Sequence, residues 1–124
     1  MKKPLRILHL EDNSVDADLF RILLKAEKIE CTISRARSRR EFEALLEQGP
    51  YDLIVSDFSL PAFDGMTAFK FADARWPGTP FVFLSGTEAS TDAQEALPSG
   101  VLAFLEKDDT ARLLSLVRGI AGLS

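Results

Sequence analysis

Short apolar runs alternate with amphipathic stretches along the chain. Leu5–Leu10 is apolar and stops at Glu11-Asp12, which predicts a first strand. Asn13 or Ser14 then caps a helix in which Val15, Leu19, Ile22, Leu23 and Ala26 recur at helical spacing, predicting that they form its buried face. Residues 31–34 form a weaker second strand. Phe42, Leu45 and Leu46 mark a second helix closed by Gly49-Pro50. Leu53-Ile54-Val55 starts a third strand that ends at Asp57, and a loop with Pro61 and Gly65 leads to a helix carrying Met66, Phe69 and Ala72. After the turn-rich segment 76–80 comes a fourth strand, 81–84, ending at Ser85. A fourth helix is expected to begin within 88–94 and to end or distort at Pro98. A fifth strand covers 101–105. Asp108 or Asp109 caps a last helix with Leu113, Leu116, Val117 and Ile120 inward.

This fivefold β–α alternation, with continuously apolar central strands, predicts a parallel sheet covered on both faces. Right-handed crossovers make it an α/β, doubly wound five-stranded sheet. The 124 residues fit one compact domain, 1–124, without repeats or an interdomain linker.

Composition narrows the function. The net charge of −4 argues against direct nucleic-acid binding. Arg35, Arg37, Arg39 and Arg40 crowd one stretch, read here as a solvated helix entrance. The one cysteine, Cys31, excludes an internal disulfide and is read as a small buried apolar residue. No apolar run reaches the roughly 18 residues of a membrane span, and the N-terminus lacks a signal-peptide core, so no membrane association and a cytoplasmic location are expected.

Ligands of open parallel sheets bind beyond the carboxyl ends of the strands. Those ends carry Glu11-Asp12, Asp57, Ser85 and Lys107. Carboxylates brought together repel unless a cation is near, and Mg²⁺ suits a site with few protein ligands and several waters. A carboxylate can accept a phosphoryl group as an acyl phosphate, which needs mainly in-line positioning and charge stabilisation. Lys107 and Ser85 supply complementary charge and a hydrogen bond. Singly, each residue has a structural explanation: Asp12 and Asn13 as caps, Asp57 in an Asx-turn, Ser85 in a turn, Lys107 as a solvated lysine. Their joint occurrence at four strand ends favours the functional reading. His9 is expected in the core or half-buried, and Trp76 as a packing residue.

The segments 7–13, 52–57, Leu60-Pro61, Asp64-Gly65, Ser85-Gly86 and 104–107, in this order and spacing, resemble the response-regulator receiver family over nearly the whole chain. The resemblance implies a (βα)5 flavodoxin-like fold, strand order 2-1-3-4-5, and a two-component or phosphorelay role. It makes Asp57 the phosphoacceptor. Asp12, Asp57 and the carbonyl of Ser59 would bind Mg²⁺ directly, and Glu11 through a metal-bound water. Lys107 would pair with the acceptor and then with the phosphoryl group; Ser85 and Phe104 would be the switch residues. The implied partners are a histidine kinase or histidine phosphotransfer protein and a downstream effector. The implied activity is a switch that catalyses only its own phosphorylation and dephosphorylation, not a turnover enzyme.

Three departures stand out. Asp108 replaces the usual proline after the lysine, predicting a trans Lys107–Asp108 bond. Phe104 replaces a common tyrosine. Pro98 predicts a short or irregular fourth helix, which alters the family's output face. A haloacid-dehalogenase-like phosphatase would want an aspartate where Ser59 stands. A non-phosphorylated scaffold would not need the complete acidic, hydroxyl and lysine set. A flavin module would want a phosphate loop where Glu11-Asp12 would repel phosphate.

Overall fold

A computed structural model describes residues 4–58, 65–86 and 99–122. The described elements are β1 (Leu5–Leu10), α1 (Ser14–Ala26), β2 (Cys31–Ala36), α2 (Arg39–Leu46), β3 (Leu53–Asp57), α3 (Gly65–Arg75), β4 (Phe81–Ser85), β5 (Ala103–Glu106) and α4 (Thr110–Ala121). The helix expected within 88–94 and its distortion at Pro98 lie outside the described residues. The strands form one parallel sheet in the order β2-β1-β3-β4-β5, as expected.

Strand alternation divides the core in two. Leu5, Ile7, Leu53, Val55, Val82 and Leu84 face α1 and α4, where Phe20, Leu24, Leu113 and Val117 meet them. Leu8, Leu10, Ile54, Phe81 and Phe83 face α2 and α3 and pack with Phe42, Ala68, Phe69 and Ala72. Both faces are dry, so β3 and β4 are buried along their whole length.

The helix ends follow local chemistry. The Asn13 side chain accepts from the Asp16 N–H, Ser38 from Glu41 N–H and Asp109 from Arg112 N–H. Gly122 closes α4 in the left-handed region at φ 75°.

The expected inner face of α1 is corrected. Val15, Leu19 and Ile22 are 63%, 59% and 51% exposed, and Ala17, Phe20 and Leu24 are buried instead. Ala26 is exposed and Leu23 only half-buried. The helix carries two overlapping apolar stripes. The loop leaving β1 sets its rotation, and the stripe that meets the sheet joins the small Ala17 to the large Phe20. In α4, Leu113 and Val117 are buried as expected, Leu116 and Ile120 are half-buried, and Leu114 joins the core.

β2 runs two residues further than expected, to Ala36, and β5 begins at Ala103 rather than at 101. Cys31 is half-buried rather than buried, because β2 is a sheet edge. Trp76 is a packing residue as read: its indole N–H donates to the Leu46 carbonyl at 2.7 Å, and a Cβ on Gly49 would lie 2.6 Å from Trp76 Nε1. The Lys107–Asp108 peptide is trans, as predicted; among the described residues the cis bond is Gly49–Pro50.

Candidate functional site

Sheet pairing alone brings the site together. Leu10 of β1 is in register with Ser56 of β3, so Glu11 and Asp57 follow side by side at the strand ends. Asp57 is in register with Leu84 and Ser85 with Glu106, and the Lys107 N–H donates to the Ser85 carbonyl at 2.7 Å. Asp57 and Ser85 are the last residues of β3 and β4, and Glu11 and Lys107 follow one step beyond β1 and β5.

Glu11, Asp12 and Asp57 each offer a carboxylate oxygen, and the three oxygens lie within 4.8 Å of one another. Glu11 and Asp57 are buried and Asp12 is exposed. Lys107 Nζ lies 2.8 Å from Glu11 Oε1, 2.8 Å from Asp16 Oδ2 and 3.3 Å from Asp57 Oδ2. Hard oxygen donors in a small group fit Mg²⁺ better than a soft metal. Ser85 Oγ donates to the Gly86 carbonyl at 3.1 Å. Phe104 packs edge-on against Phe58, centroids 5.0 Å apart, and tilted against Phe83 at 6.2 Å. Ser59, expected to give a backbone carbonyl, lies outside the described residues.

The electrostatics follow from burial. Desolvation raises the Glu11 carboxyl to about 7, aided by the Asp57 charge and opposed by the Lys107 hydrogen bond. Burial works to lower the Lys107 ammonium, but hydrogen bonds to Asp16 and Glu11 and the charges of Glu11 and Asp57 outweigh it and hold it above the ordinary lysine range. His9 sits beneath the site, 4.5 Å from the Phe20 ring centroid. Burial, then the charges of Lys107 and Arg35, lowers it to about 4; its Nδ1 has no hydrogen-bond partner among the described residues. It is thus a neutral core residue, as read.

Two contributors escaped the sequence reading. Arg35 is not part of a solvated helix entrance: it lies in β2, in register with His9, and its Nε donates to the Glu11 carbonyl at 3.0 Å and its Nη2 to the Asp12 carbonyl at 3.3 Å. The sequence put it just past the strand expected over 31–34 and among four crowded arginines, which hid its contact with the site. Asp16, in the first turn of α1, was not singled out from the sequence, and only the fold carries it to Lys107. Beside the site, an open groove of about 630 Å³ runs between α1 and α4 over Leu19, Ile22 and Leu113.

The chain matches the response regulator receiver domain family over residues 7–118. It is 32% identical over 99 residues to the response regulator protein PilR of Pseudomonas aeruginosa, a match covering 73% of this chain and 22% of that protein. A protein-glutamate methylesterase/protein-glutamine glutaminase of Archaeoglobus fulgidus is 31% identical over 109 residues, 86% of this chain and 31% of that protein. The chain thus spans a third or less of the length of these relatives. The receiver domain of a sensor histidine kinase from Pseudomonas aeruginosa, solved with a magnesium ion in its active-site cleft, shares the fold with a TM-score of 0.78 at 22% identity, over 97% of this chain and 99% of that one. With the sheet order, the strand-end acids and a family match over most of its length, the chain belongs to the response regulator receiver domains of two-component signalling.

Proposed function

We propose that this receiver takes a phosphoryl group onto Asp57 in a Mg²⁺-dependent reaction and changes its affinity for a partner as a result. The observation that carries this is the placement of the Asp57 carboxylate, at the end of β3, within 4.8 Å of oxygens of Glu11 and Asp12 and 3.3 Å from Lys107 Nζ.

An Asp57 carboxylate oxygen attacks phosphorus in line; the bond from phosphorus to the donor's imidazole nitrogen breaks, and the imidazole leaves with its electron pair. Asp12 and Asp57 would hold Mg²⁺, with Glu11 acting through a water and Ser59 by its carbonyl. The ion supplies positive charge that offsets the phosphoryl oxygens. Lys107 holds the acceptor carboxylate and then follows the transferred group. The Ser85 hydroxyl turns from the Gly86 carbonyl to a phosphoryl oxygen, and Phe104 moves into the space this opens.

The donor is a histidine kinase or a histidine phosphotransfer protein, and the output is binding to a protein effector rather than to nucleic acid. The chain acts only on its own phosphorylation state. Among the described residues no helix is long and apolar enough to cross a membrane; the place of action is the cytoplasm, and 1–124 acts as one receiver unit.

Incubation with a small phosphodonor and Mg²⁺, followed by intact mass measurement, tests this. A phosphoryl adduct is expected in the native chain and absent in Asp57→Asn. No adduct with any donor or metal, or an adduct that survives Asp57→Asn, overturns the reading.

A further inference from the structure

We propose that Asp16 is a positioning residue: its carboxylate holds the Lys107 ammonium toward α1, and gives it up when a phosphoryl group arrives. This rests on the reading of Asp57 as phosphoacceptor.

An ammonium has three donors, and those of Lys107 face three carboxylates, Glu11 and Asp16 at 2.8 Å and Asp57 at 3.3 Å. A phosphoryl oxygen can be engaged only if one partner is released. Glu11 is a poor candidate, since its side chain is 1% exposed and losing its cation would leave a buried charge uncompensated. Asp57 becomes the bearer of the new group. The Asp16 side chain is 34% exposed and can turn to water at little cost.

The backbone around Asp16 suits this role. Its N–H is fixed by Asn13 Oδ1 at 3.0 Å, so the first turn of α1 stays in place while the carboxylate can rotate. An acid there is also compatible with the helix dipole, with or without the lysine. Asp16 is outside the group of Glu11, Asp12 and Asp57 that could hold a metal. Its influence is therefore exerted through Lys107, as a competitor of the phosphoryl group for one cation.

The test is a titration with beryllium trifluoride, an acyl-phosphate mimic, at saturating Mg²⁺, followed by NMR of the native chain, Asp16→Asn, Lys107→Ala and the double variant. Asp16→Asn is expected to tighten binding by about fivefold, the scale of a part-exposed ion pair. In the Lys107→Ala background the same substitution should change it by less than about twofold, because the competition is gone. Asp16→Ser repeats the test with a second neutral side chain and should agree. Unchanged or weaker binding in Asp16→Asn overturns the proposal. An equal gain with and without Lys107 also overturns it, since that marks a general charge effect. If the native chain itself fails to bind beryllium trifluoride, the Asp57 reading falls together with this one; native binding with an indifferent Asp16 removes only this one.

Discussion

Arg35 reaches from the edge strand β2 to the backbone carbonyl of Glu11, Nε to O 3.0 Å, and so braces the loop that presents two of the three clustered carboxylates. The same guanidinium also holds the Asp12 carbonyl. Arg35→Ala is therefore expected to weaken Mg²⁺ binding severalfold while the fold persists. Titration of Mg²⁺ followed by NMR checks this; an unchanged affinity refutes the bracing role. Arg35→Lys should restore little, because a lysine lacks the rigid planar guanidinium that aims Nε and Nη2 at the two carbonyls together.

Lys107→Ala removes the cation from Glu11 and Asp57 and leaves the acidic group to any bound metal. Mg²⁺ affinity is expected to hold or rise. The response to phosphorylation, read as NMR shifts at Ser85 and Phe104, should be impaired. A normal response in this variant would refute the role given to the lysine.

The rotation of α1 gives a direct stability contrast. Leu24 is fully buried, and Leu24→Ala should cost about 2–5 kcal/mol in urea unfolding. Leu19→Ala and Ile22→Ala, on the exposed stripe, should each cost less than about 1 kcal/mol. Equal costs on the two stripes would mean that the helix sits in another rotation.

His9 makes stability depend on pH. Its pKa is depressed from 6.5 to about 4 on folding, so the unfolded chain binds the proton first as pH falls. The contribution is intact above about pH 6.5 and is lost progressively as pH falls toward 4. Between pH 7 and pH 5 the loss is about 2 kcal/mol. Glu11, raised from 4.5 to about 7, acts in the opposite sense, since the folded chain holds its proton more tightly over that range. Comparison with His9→Leu isolates the histidine: relative to the native chain, the variant should gain stability on moving from pH 7 to pH 5. A parallel pH profile in the two proteins would contradict this.

Gly49 has no room for a side chain beside the Trp76 ring. Gly49→Ala is expected to cost about 1–3 kcal/mol by overpacking and to shift the fluorescence of this tryptophan, the one in the chain. An unaltered emission spectrum and unfolding midpoint would show that the ring moves aside freely.

The alternation of apolar runs and amphipathic stretches was enough, by itself, to determine the parallel sheet. A strand buried on both faces must be apolar throughout, and β3 and β4 are. Glu11, Asp12, Asp57, Ser85 and Lys107 were legible because each is a polar residue that ends such a run, and a parallel sheet puts those ends on one edge. Tertiary structure alone decided the rest. Which stripe of α1 faces inward depends on the angle at which the chain leaves β1, and helical spacing does not encode that angle when two stripes are apolar. The Asp16–Lys107 ion pair joins residues 91 positions apart, and Arg35 reaches Glu11 across 24. Contacts of this kind leave no periodic trace in a sequence, because the groups meet only after the sheet has set the distance between the elements that carry them.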